Sequence, residues 1–258
     1  MRTLYRFAHL AKRHSVIHAV SKKDPDEPYA FSLALHTGEN PGKIIANRKR
    51  LARELAVDEE LLFVTADQTH SDHIAVIESR EMCGWDREEG ALRNCDALVT
   101  DLTGVALTVL TADCVPILLF DPTAGVIAAV HAGWRGTEKE IVSKTIAVMA
   151  DRFDSVPADI LAGVGPAIGK CCYEVGEDVA SHFEACSETF LQREGGRYRL
   201  DLPGINREQM LSAGLRPEQI EMSAVCTACN SDTFFSYRGE KGCSGRFMSL
   251  IALRRQSS

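Results

Sequence analysis

Four short apolar runs lie between residues 96 and 130, and they constrain the fold more than any other feature of the chain. They read DALVT, VALTVL, VPILLF and VIAAV, and turn residues separate them. Runs that are apolar and β-branched without polar alternation are typical of strands covered on both faces. A stretch with helical spacing follows, because Val142, Ile146, Met149 and Phe153 fall at i, i+4, i+7 and i+11. The pattern predicts an α/β or α+β fold with an extensive mixed sheet.

The remaining segments predict further helices and strands around this centre. We expect helices over residues 41–56, 176–186 and 205–213, and strands at SVIHAV and over residues 60–64, 73–78 and 159–164. The tail FFSYRGEKGCSGRFMSLIAL predicts hairpin-like strands. The chain has 258 residues, of which 45% are hydrophobic, and it contains no repeat or linker. These features predict a single domain over residues 1–258.

Charge and cysteine content exclude several classes of protein. The net charge of −7 argues against a nucleic-acid-binding protein, which would present a basic face. Apolar runs are too short for a transmembrane helix. Nine cysteines, an odd number, occur without a secretory segment, so we expect reduced thiols in a reducing compartment and a cytoplasmic location. We also expect a monomer.

One cysteine and one histidine mark the two ends of a predicted hairpin. The segment DPTAG is a turn signature, and a tight turn would place Phe120 opposite Gly125. Continuing outward in the same register places Cys114 opposite His131. Directly opposed residues have Cβ atoms about 5 Å apart, and a metal ion with bonds of about 2.0–2.3 Å can bridge such a pair. The alternative is a buried thiol beside a hydrogen-bonded imidazole.

The segment HAGWRGTEKE after this strand resembles an anion site. Thr137 and Glu140 have the spacing of a capping box, which predicts that a helix begins just after Gly136. Free N–H groups at that terminus and the Arg135 side chain would bind a phosphate or carboxylate. The alternative is a capped corner with a solvent-facing arginine. His70 and His73, in the polar loop DQTHSDH, are candidates for a third ligand.

Several motifs together resemble the YfiH/laccase-domain family over residues 15–252. They are QTHSDHIAVI, CDALVT, LTADCVPILLFDPTAGVIAAVHAGWRGT, GVGPAIGKCCYEVGEDV and FFSYRGEKGCSGR. The resemblance implies an α/β/β/α layered fold related to the catalytic domain of cytotoxic necrotizing factor. It also implies a zinc ion bound by His70, Cys114 and His131. The implied activity is phosphorolysis of adenosine, inosine and S-methyl-5'-thioadenosine, together with adenosine deamination.

Purine nucleosides and inorganic phosphate would need cationic partners in such an enzyme. The candidate residues are Arg135, Asn47 and Arg48 of ANRKR, Arg238 of FFSYR and Arg246 of SGR. The chain departs from the family in two places. It has SKKDPDEPYA where the family usually shows Thr-Arg and a Gly-Gly-Val-Ser loop, which places the nucleoside contacts of that loop in doubt. SGR replaces the usual TGR but keeps a hydroxyl.

Four alternatives remain open from the residues alone. The usual deaminase signature, H-x-E followed by P-C-x-x-C, is absent because Val225 stands where the proline would be. The pair Cys226 and Cys229 is then a packing feature, a redox pair or half of a zinc site. A copper-dependent polyphenol oxidase needs more histidines than eight, arranged as H-x-H, although a His₂Cys set could bind one Cu²⁺. A Cys-His hydrolase would use Cys114 as nucleophile and His131 as base. The last alternative is a non-catalytic metal-binding module.

Overall fold

The computed structural model describes residues 4–55, 60–81, 83–186, 189–242 and 245–255. Helices are few and short in this part of the chain. They are Ala8–Ala11 (α1), Pro41–Glu54 (α2), Trp134–Glu138 (α3), Ile141–Phe153 (α4), Glu177–Ala180 (α5) and Leu202–Ser212 (α6). Among the described residues, no helix is long and apolar enough to cross a membrane.

More of the described residues lie in strands than in α-helices. The first seven are Leu4–Tyr5 (β1), Val16–Ser21 (β2), Leu62–Thr65 (β3), Ile74–Val76 (β4), Ala97–Thr100 (β5), Val105–Thr111 (β6) and Val115–Asp121 (β7). The others are Val126–Ala132 (β8), Leu161–Val164 (β9), Glu174–Val175 (β10), Leu191–Glu194 (β11), Arg197–Leu200 (β12), Ile220–Met222 (β13) and Phe247–Leu253 (β14).

The strands form two large mixed sheets and one small antiparallel sheet. The five-stranded sheet has the order β1-β2-β14-β6-β3, and the six-stranded sheet has the order β13-β9-β7-β8-β5-β4. In each large sheet the pairing is antiparallel except at the edges, where β3–β6, β4–β5 and β9–β13 are parallel. The small sheet has the order β10-β12-β11. The predicted mixed α/β fold is therefore confirmed.

Three apolar clusters show how the sheets and helices are layered. One cluster joins Leu107 and Ile251 of the five-stranded sheet to Leu118 and Ile127 of the six-stranded sheet, so these two sheets pack face to face. A second cluster packs α4 and α6 on the outer face of the six-stranded sheet. A third packs α2 on the outer face of the five-stranded sheet. The order of layers is α/β/β/α. Every residue of β5, β6, β7 and β8 is buried, as the uninterrupted apolar runs predicted.

Local signals at the helix ends were partly misleading. Asn40 caps α2 by accepting a hydrogen bond from the Lys43 N–H, and Pro41 occupies the first turn, as its sequence suggests. The predicted capping box at Thr137 and Glu140 is wrong. Thr137 lies inside α3, where its hydroxyl accepts a bond from Asn206, and Glu140 adopts a left-handed conformation that separates α3 from α4.

Other elements also differ from the sequence prediction. The helix expected over residues 176–186 is one turn of α5 followed by a 3₁₀ turn at Ser181–Phe183. The hairpin expected in the tail is wrong within the described residues, because turns precede the single strand β14. Strand β14 instead pairs with β2 and β6, far away in the sequence. The prediction of a single domain over residues 1–258 stays a prediction.

A candidate metal centre in a polar cleft

Four polar side chains meet at one edge of the six-stranded sheet. Cys114 lies directly before β7, and His131 lies near the end of β8, which runs antiparallel to β7. Asp96 directly precedes β5, and His70 lies in the loop before β4. Strands β4 and β5 are parallel, and β5 is antiparallel to β8. Because of these strand directions, the starts of β4, β5 and β7 and the end of β8 lie at the same end of the sheet.

The hairpin between β7 and β8 has a different register from the predicted one. Phe120 pairs with Ile127, and Pro116 pairs with His131, because the four-residue loop spans residues 122–125 and closes on the pair Asp121–Val126, one position later than predicted. Cys114 consequently lies two positions beyond the residue opposite His131. A shift by two residues keeps every side chain on its face of the sheet, whereas a shift by one would not. Cys114 and His131 therefore still face the same space.

The structure brings His70, Cys114 and His131 close enough together to hold one metal ion. A ligand atom from each residue lies within 4.8 Å of the other two. Cys114 Sγ is 3.7 Å from His70 Nε2, and the two imidazole rings have centroids 4.9 Å apart at 76° to one another. His131 is buried, Cys114 is half-buried and His70 is exposed. The group is thus open to solvent on one side. His73 is outside this group, since its Nδ1 binds the Asn94 carbonyl.

A buried aspartate, Asp96, holds the two histidines in place. Its Oδ1 accepts hydrogen bonds from the His70 N–H (3.1 Å) and from His131 Nδ1 (2.7 Å). Its Oδ2 accepts bonds from the N–H and the hydroxyl of Ser71, both at 2.6 Å, and from the Thr69 N–H at 3.3 Å. With Nδ1 committed to the carboxylate, His131 turns Nε2 toward Cys114. A carboxylate behind a histidine ligand is a common outer contact of metal sites.

The same contacts shift the pKa values of Cys114, His131 and Asp96. Burial raises the pKa of the Cys114 thiol, but the two imidazoles outweigh burial and lower the pKa to about 6. Burial also opposes the charged form of His131, and the charges of Cys114 and Asp96 outweigh it and raise the pKa to about 9. Burial of Asp96 is outweighed by His131 and Ser71, which lower the pKa of that carboxyl to about 2. Cys114 is thereby poised as a thiolate, the form that binds metals.

Unusual backbone conformations shape the loops beside these side chains. His70 has φ of 60°, and Asp113, directly before Cys114, has φ of 91°. Non-glycine residues seldom adopt positive φ, and such strain clusters at functional sites. At Gly133 an added Cβ would lie 2.8 Å from His70 Cδ2 and 3.2 Å from Cys114 Sγ. Glycine is therefore needed there to let the chain pass the three side chains closely.

Asp113 receives enough hydrogen bonds to hold its strained conformation. Its Oδ1 accepts bonds from the hydroxyls of Thr227 and Ser236, both at 2.6 Å, and its Oδ2 accepts the Arg238 N–H at 2.7 Å. Its backbone carbonyl accepts the Ile168 N–H at 2.9 Å. These bonds join the segment that carries Cys114 to two other chain segments, one at Ile168 and one over residues 227–238.

A cleft of about 450 Å³ opens over the three candidate ligands. This volume is in the usual range for small-molecule sites. Aromatic side chains line it at Trp134, Tyr173 and Tyr237, and the last of these is 57% exposed. Two arginines, Arg238 and Arg246, bring positive charge to the lining. Aromatic faces and guanidinium groups suit a ligand that combines a flat ring with an anion.

The candidate substrate-binding residues are distributed differently from the prediction. Arg238 and Arg246 line the cleft, and the Arg238 guanidinium lies 5.6 Å from the centroid of the Tyr173 ring. Arg135 is exposed and is not part of the lining. Its guanidinium lies 4.4 Å from the centroid of the Trp134 ring, which does line the cleft. Arg135 therefore contacts a lining residue without lining the cleft itself.

Asn47 and Arg48 are not brought to this cleft, in contrast to the expectation that they would bind phosphate or ribose. The Asn47 amide donates to the carbonyls of Pro28 and Ser32. Arg48 is 1% exposed and donates to the carbonyls of Leu33, Gly84 and Trp85. The physical reason is that α2 turns this face inward, so the two side chains serve as internal partners for loop carbonyls.

The fold and the site define a layered α/β protein with a His–Cys–His candidate metal centre in a polar cleft. The chain belongs to the YfiH/laccase-domain family, because the family model described as Multi-copper polyphenol oxidoreductase laccase matches residues 18–254.

Relatives with assigned names and a solved structure are similar over most of the chain. The chain is 36% identical to "Purine nucleoside phosphorylase YlmD" of Geobacillus stearothermophilus, a match that covers 89% of this chain and 86% of the relative. It is 37% identical to "Adenosine deaminase RL5" of an unknown prokaryotic organism, with 80% of each chain covered. The crystal structure of Bacillus licheniformis hypothetical protein YfiH superposes with a TM-score of 0.90 at 32% identity, covering 98% of this chain and 97% of that one.

Sequence reasoning missed two residues that organise the site. In the sequence Asp96 is only the first residue of an apolar run, although a polar residue directly before a buried strand is a signal for a side chain at the end of a sheet. In the sequence Asp113 is only the residue before Cys114. Its role depends on Thr227 and Ser236, and nothing in the local sequence links these residues to it.

Proposed function

We propose that this protein is a zinc-dependent purine nucleoside phosphorylase that acts on adenosine, inosine and S-methyl-5'-thioadenosine. The observation that carries the proposal is the convergence of His70, Cys114 and His131 at the base of a cleft lined by arginines and aromatic rings. The names of relatives that cover most of the chain support the reaction class.

The three side chains fit zinc in both chemistry and number. Two imidazoles and one thiolate are donors that zinc prefers, and three protein ligands leave one position open, as in catalytic zinc sites. Asp96 fixes the His131 ring from behind. When bound, zinc would supply Lewis-acid polarisation of an oxygen atom on phosphate or substrate.

The residues around the candidate metal centre support the proposed binding of both substrates. Arg238 and Arg246 offer charge-assisted hydrogen bonds to the phosphate oxygens. Tyr173 and Tyr237 offer ring faces on which a purine can stack. In the reaction, an oxygen of hydrogen phosphate bonds to C1′ and the C1′–N9 bond breaks. The proton that phosphate loses balances the proton gained by the departing purine. Residues that hold phosphate against one face of the ribose would lower the barrier by orientation and by charge stabilisation.

A second candidate function follows from the contact between Cys114, His131 and Asp96. A thiolate, an imidazole and an orienting carboxylate in this order also form the arrangement of a Cys-His hydrolase. His70 distinguishes the two functions. It lies 3.7 Å from the Cys114 sulfur, a contact that a metal site requires and a hydrolase does not.

Product analysis with purified protein tests the proposal. Adenosine with inorganic phosphate should give adenine and ribose 1-phosphate in equal amounts, and product formation should stop when phosphate is omitted. Inosine and ammonia formed without phosphate would instead assign adenosine deamination. Cys114→Ala should remove phosphorolysis, and Cys186→Ala, a change at a half-buried cysteine away from the cleft, should retain it.

Absence of phosphorolysis on all three nucleosides would refute the proposal. Hydrolysis of thioesters or amides that is lost in Cys114→Ala and retained after complete removal of metal would support the Cys-His hydrolase.

A further inference from the structure

A second cluster of metal-binding side chains lies away from His70, Cys114 and His131. It consists of Cys171, Cys172, Cys226 and Cys229, whose sulfur atoms all lie within 4.8 Å of one another. None of the four forms a disulfide. Two come from the turn after β9, and the other two come from the turn after β13, the strand that runs parallel to β9. We call these four residues the thiol cluster.

The sulfur spacing matches a tetrahedral zinc site. Zinc–sulfur bonds of about 2.3 Å place the corners of a tetrahedron about 3.8 Å apart. Cys229 Sγ lies 3.7 Å from Cys171 Sγ and 3.3 Å from Cys172 Sγ. Four thiols this close together gain little from packing, because Cys171 and Cys229 are exposed and Cys172 and Cys226 are only half-buried. The exposure also gives a metal ion a path to the cluster.

Backbone N–H groups favour the thiolate form of one member of the cluster, Cys226. The Gly169 N–H donates to Cys226 Sγ at 3.3 Å, and the Cys229 N–H bonds to the same sulfur. Backbone N–H groups directed at the first sulfur of a C-x-x-C turn support a metal-bound thiolate. Gly169 lies against the cluster, since an added Cβ there would be 3.2 Å from Cys226 Cβ and 3.3 Å from Cys171 Sγ. Nearby, Arg199 donates to the Cys171 carbonyl and brings positive charge.

We propose that Cys171, Cys172, Cys226 and Cys229 bind a structural Zn²⁺ ion that is separate from the candidate metal centre. Four cysteine ligands close the coordination shell, as in structural zinc sites, and leave no position for substrate. Soft thiolate ligands and a tetrahedral shape select zinc over harder divalent ions such as magnesium and calcium.

The ion would hold together two chain segments that line the cleft, one at residues 168–173 and one that leads to residues 237 and 238. We call these two segments the wall. The turn with Cys171 and Cys172 lies between the lining residues Ile168 and Tyr173. The turn with Cys226 and Cys229 includes Thr227, whose hydroxyl donates to Asp113 beside Cys114. Arg238 crosses between the segments, because its guanidinium donates to the Glu174 carbonyl. A zinc ion at the thiol cluster therefore fixes the wall without contacting substrate.

Metal content of the full-length protein tests this second site directly. Protein purified in reducing buffer with zinc, then freed of loose metal, should contain two zinc ions per chain. The variant Cys226→Ser/Cys229→Ser should contain one, and so should Cys114→Ala, which changes only the candidate metal centre. Cys186→Ala, at a half-buried cysteine outside both groups, should contain two. Equal zinc content in wild type and Cys226→Ser/Cys229→Ser would overturn the proposal.

Alkylation of the wild-type protein keeps the test valid if the double variant does not fold. All four thiols of the cluster should resist iodoacetamide until a strong chelator is added, and mass spectrometry identifies each labelled cysteine. Cys83, which is half-buried and lies outside both groups, should react equally with and without chelator. Labelling of the cluster that does not depend on chelator would overturn the proposal, as would iron or copper as its bound metal. Neither readout depends on the substrate or on catalysis.

Discussion

Replacement of Asp96 by asparagine should weaken metal binding and the fold together, because one carboxylate serves both. Asparagine has the same shape but only one acceptor oxygen. Asp96 Oδ1 accepts two donors, from His70 and His131, and Oδ2 accepts bonds from Ser71 and Thr69. Whichever way the amide is turned, its NH₂ group replaces an oxygen that accepted hydrogen bonds. Two donors then face another donor and lose their acceptor.

The expected loss is large because the carboxylate is buried and paired with an imidazole. Breaking such a buried charged contact costs about 3–5 kcal/mol of unfolding free energy. Loss of the carboxylate behind His131 should lower zinc affinity by about 10–100-fold. Urea unfolding measures the first quantity, and competition with a chromophoric chelator measures the second.

Asp121 offers a matched control at the other end of the same hairpin. It is fully buried, and its Oδ1 accepts the N–H groups of Thr123 and Ala124, whereas its Oδ2 has no hydrogen-bond partner among the described residues. Asp121→Asn can keep Oδ1 and turn NH₂ toward the unused side, so its zinc affinity should equal that of the wild type. Wild-type zinc affinity in Asp96→Asn would refute the positioning role of Asp96.

Three further predictions test the cleft, the helix α2 and the strand β2. Arg238→Ala should raise KM for phosphate by about 10–100-fold, because it removes charge-assisted hydrogen bonds worth about 1.5–3 kcal/mol. Steady-state kinetics with varied phosphate measures this KM, and an unchanged value would show that Arg238 does not bind phosphate. Arg48→Met should lower the unfolding free energy by about 3–5 kcal/mol, since it leaves buried carbonyls without donors. The folded fraction of this variant should keep the wild-type KM. A changed KM with unchanged stability would instead indicate that Arg48 binds substrate. His18 is buried and accepts the Phe7 N–H on Nε2, and burial, with the charge of Arg6, lowers its pKa to about 4. As the pH falls below 6.5 the unfolded chain binds a proton at His18 and the folded chain does not, so the unfolding free energy should fall by up to about 3 kcal/mol between pH 6.5 and 4. His18→Gln should flatten the plot of urea midpoint against pH over this range. An unchanged slope in this variant would contradict the assigned role of His18.

The central strands could be predicted because their apolar pattern has one physical solution. Strands β5, β6, β7 and β8 are covered on both faces, so apolar residues dominate their sequences. Hairpin register was harder to predict, because DPTAG is compatible with four-residue loops that begin at different residues. The error was two residues, which preserved the face, and for that reason the shared location of Cys114 and His131 was still inferred correctly.

Side-chain roles were less predictable where they depend on distant parts of the chain. An arginine in a helix such as Arg48 has the same local sequence whether it binds an anion or three loop carbonyls. The fold decides between these roles, by turning that face of α2 inward. Similarly, the pair Cys226 and Cys229 has no visible partner in the sequence. The parallel pairing of β9 with β13 brings Cys171 and Cys172 beside it.

The most direct test of the account is recovery of phosphorolysis as zinc is returned to metal-free protein. Adenine release from adenosine and phosphate should be absent after chelation and should rise in proportion to zinc bound at His70, Cys114 and His131. Cys114→Ala should not recover at any zinc concentration. Full phosphorolysis by metal-free protein, or recovery in Cys114→Ala, would contradict the assignment of these three residues as the catalytic zinc site.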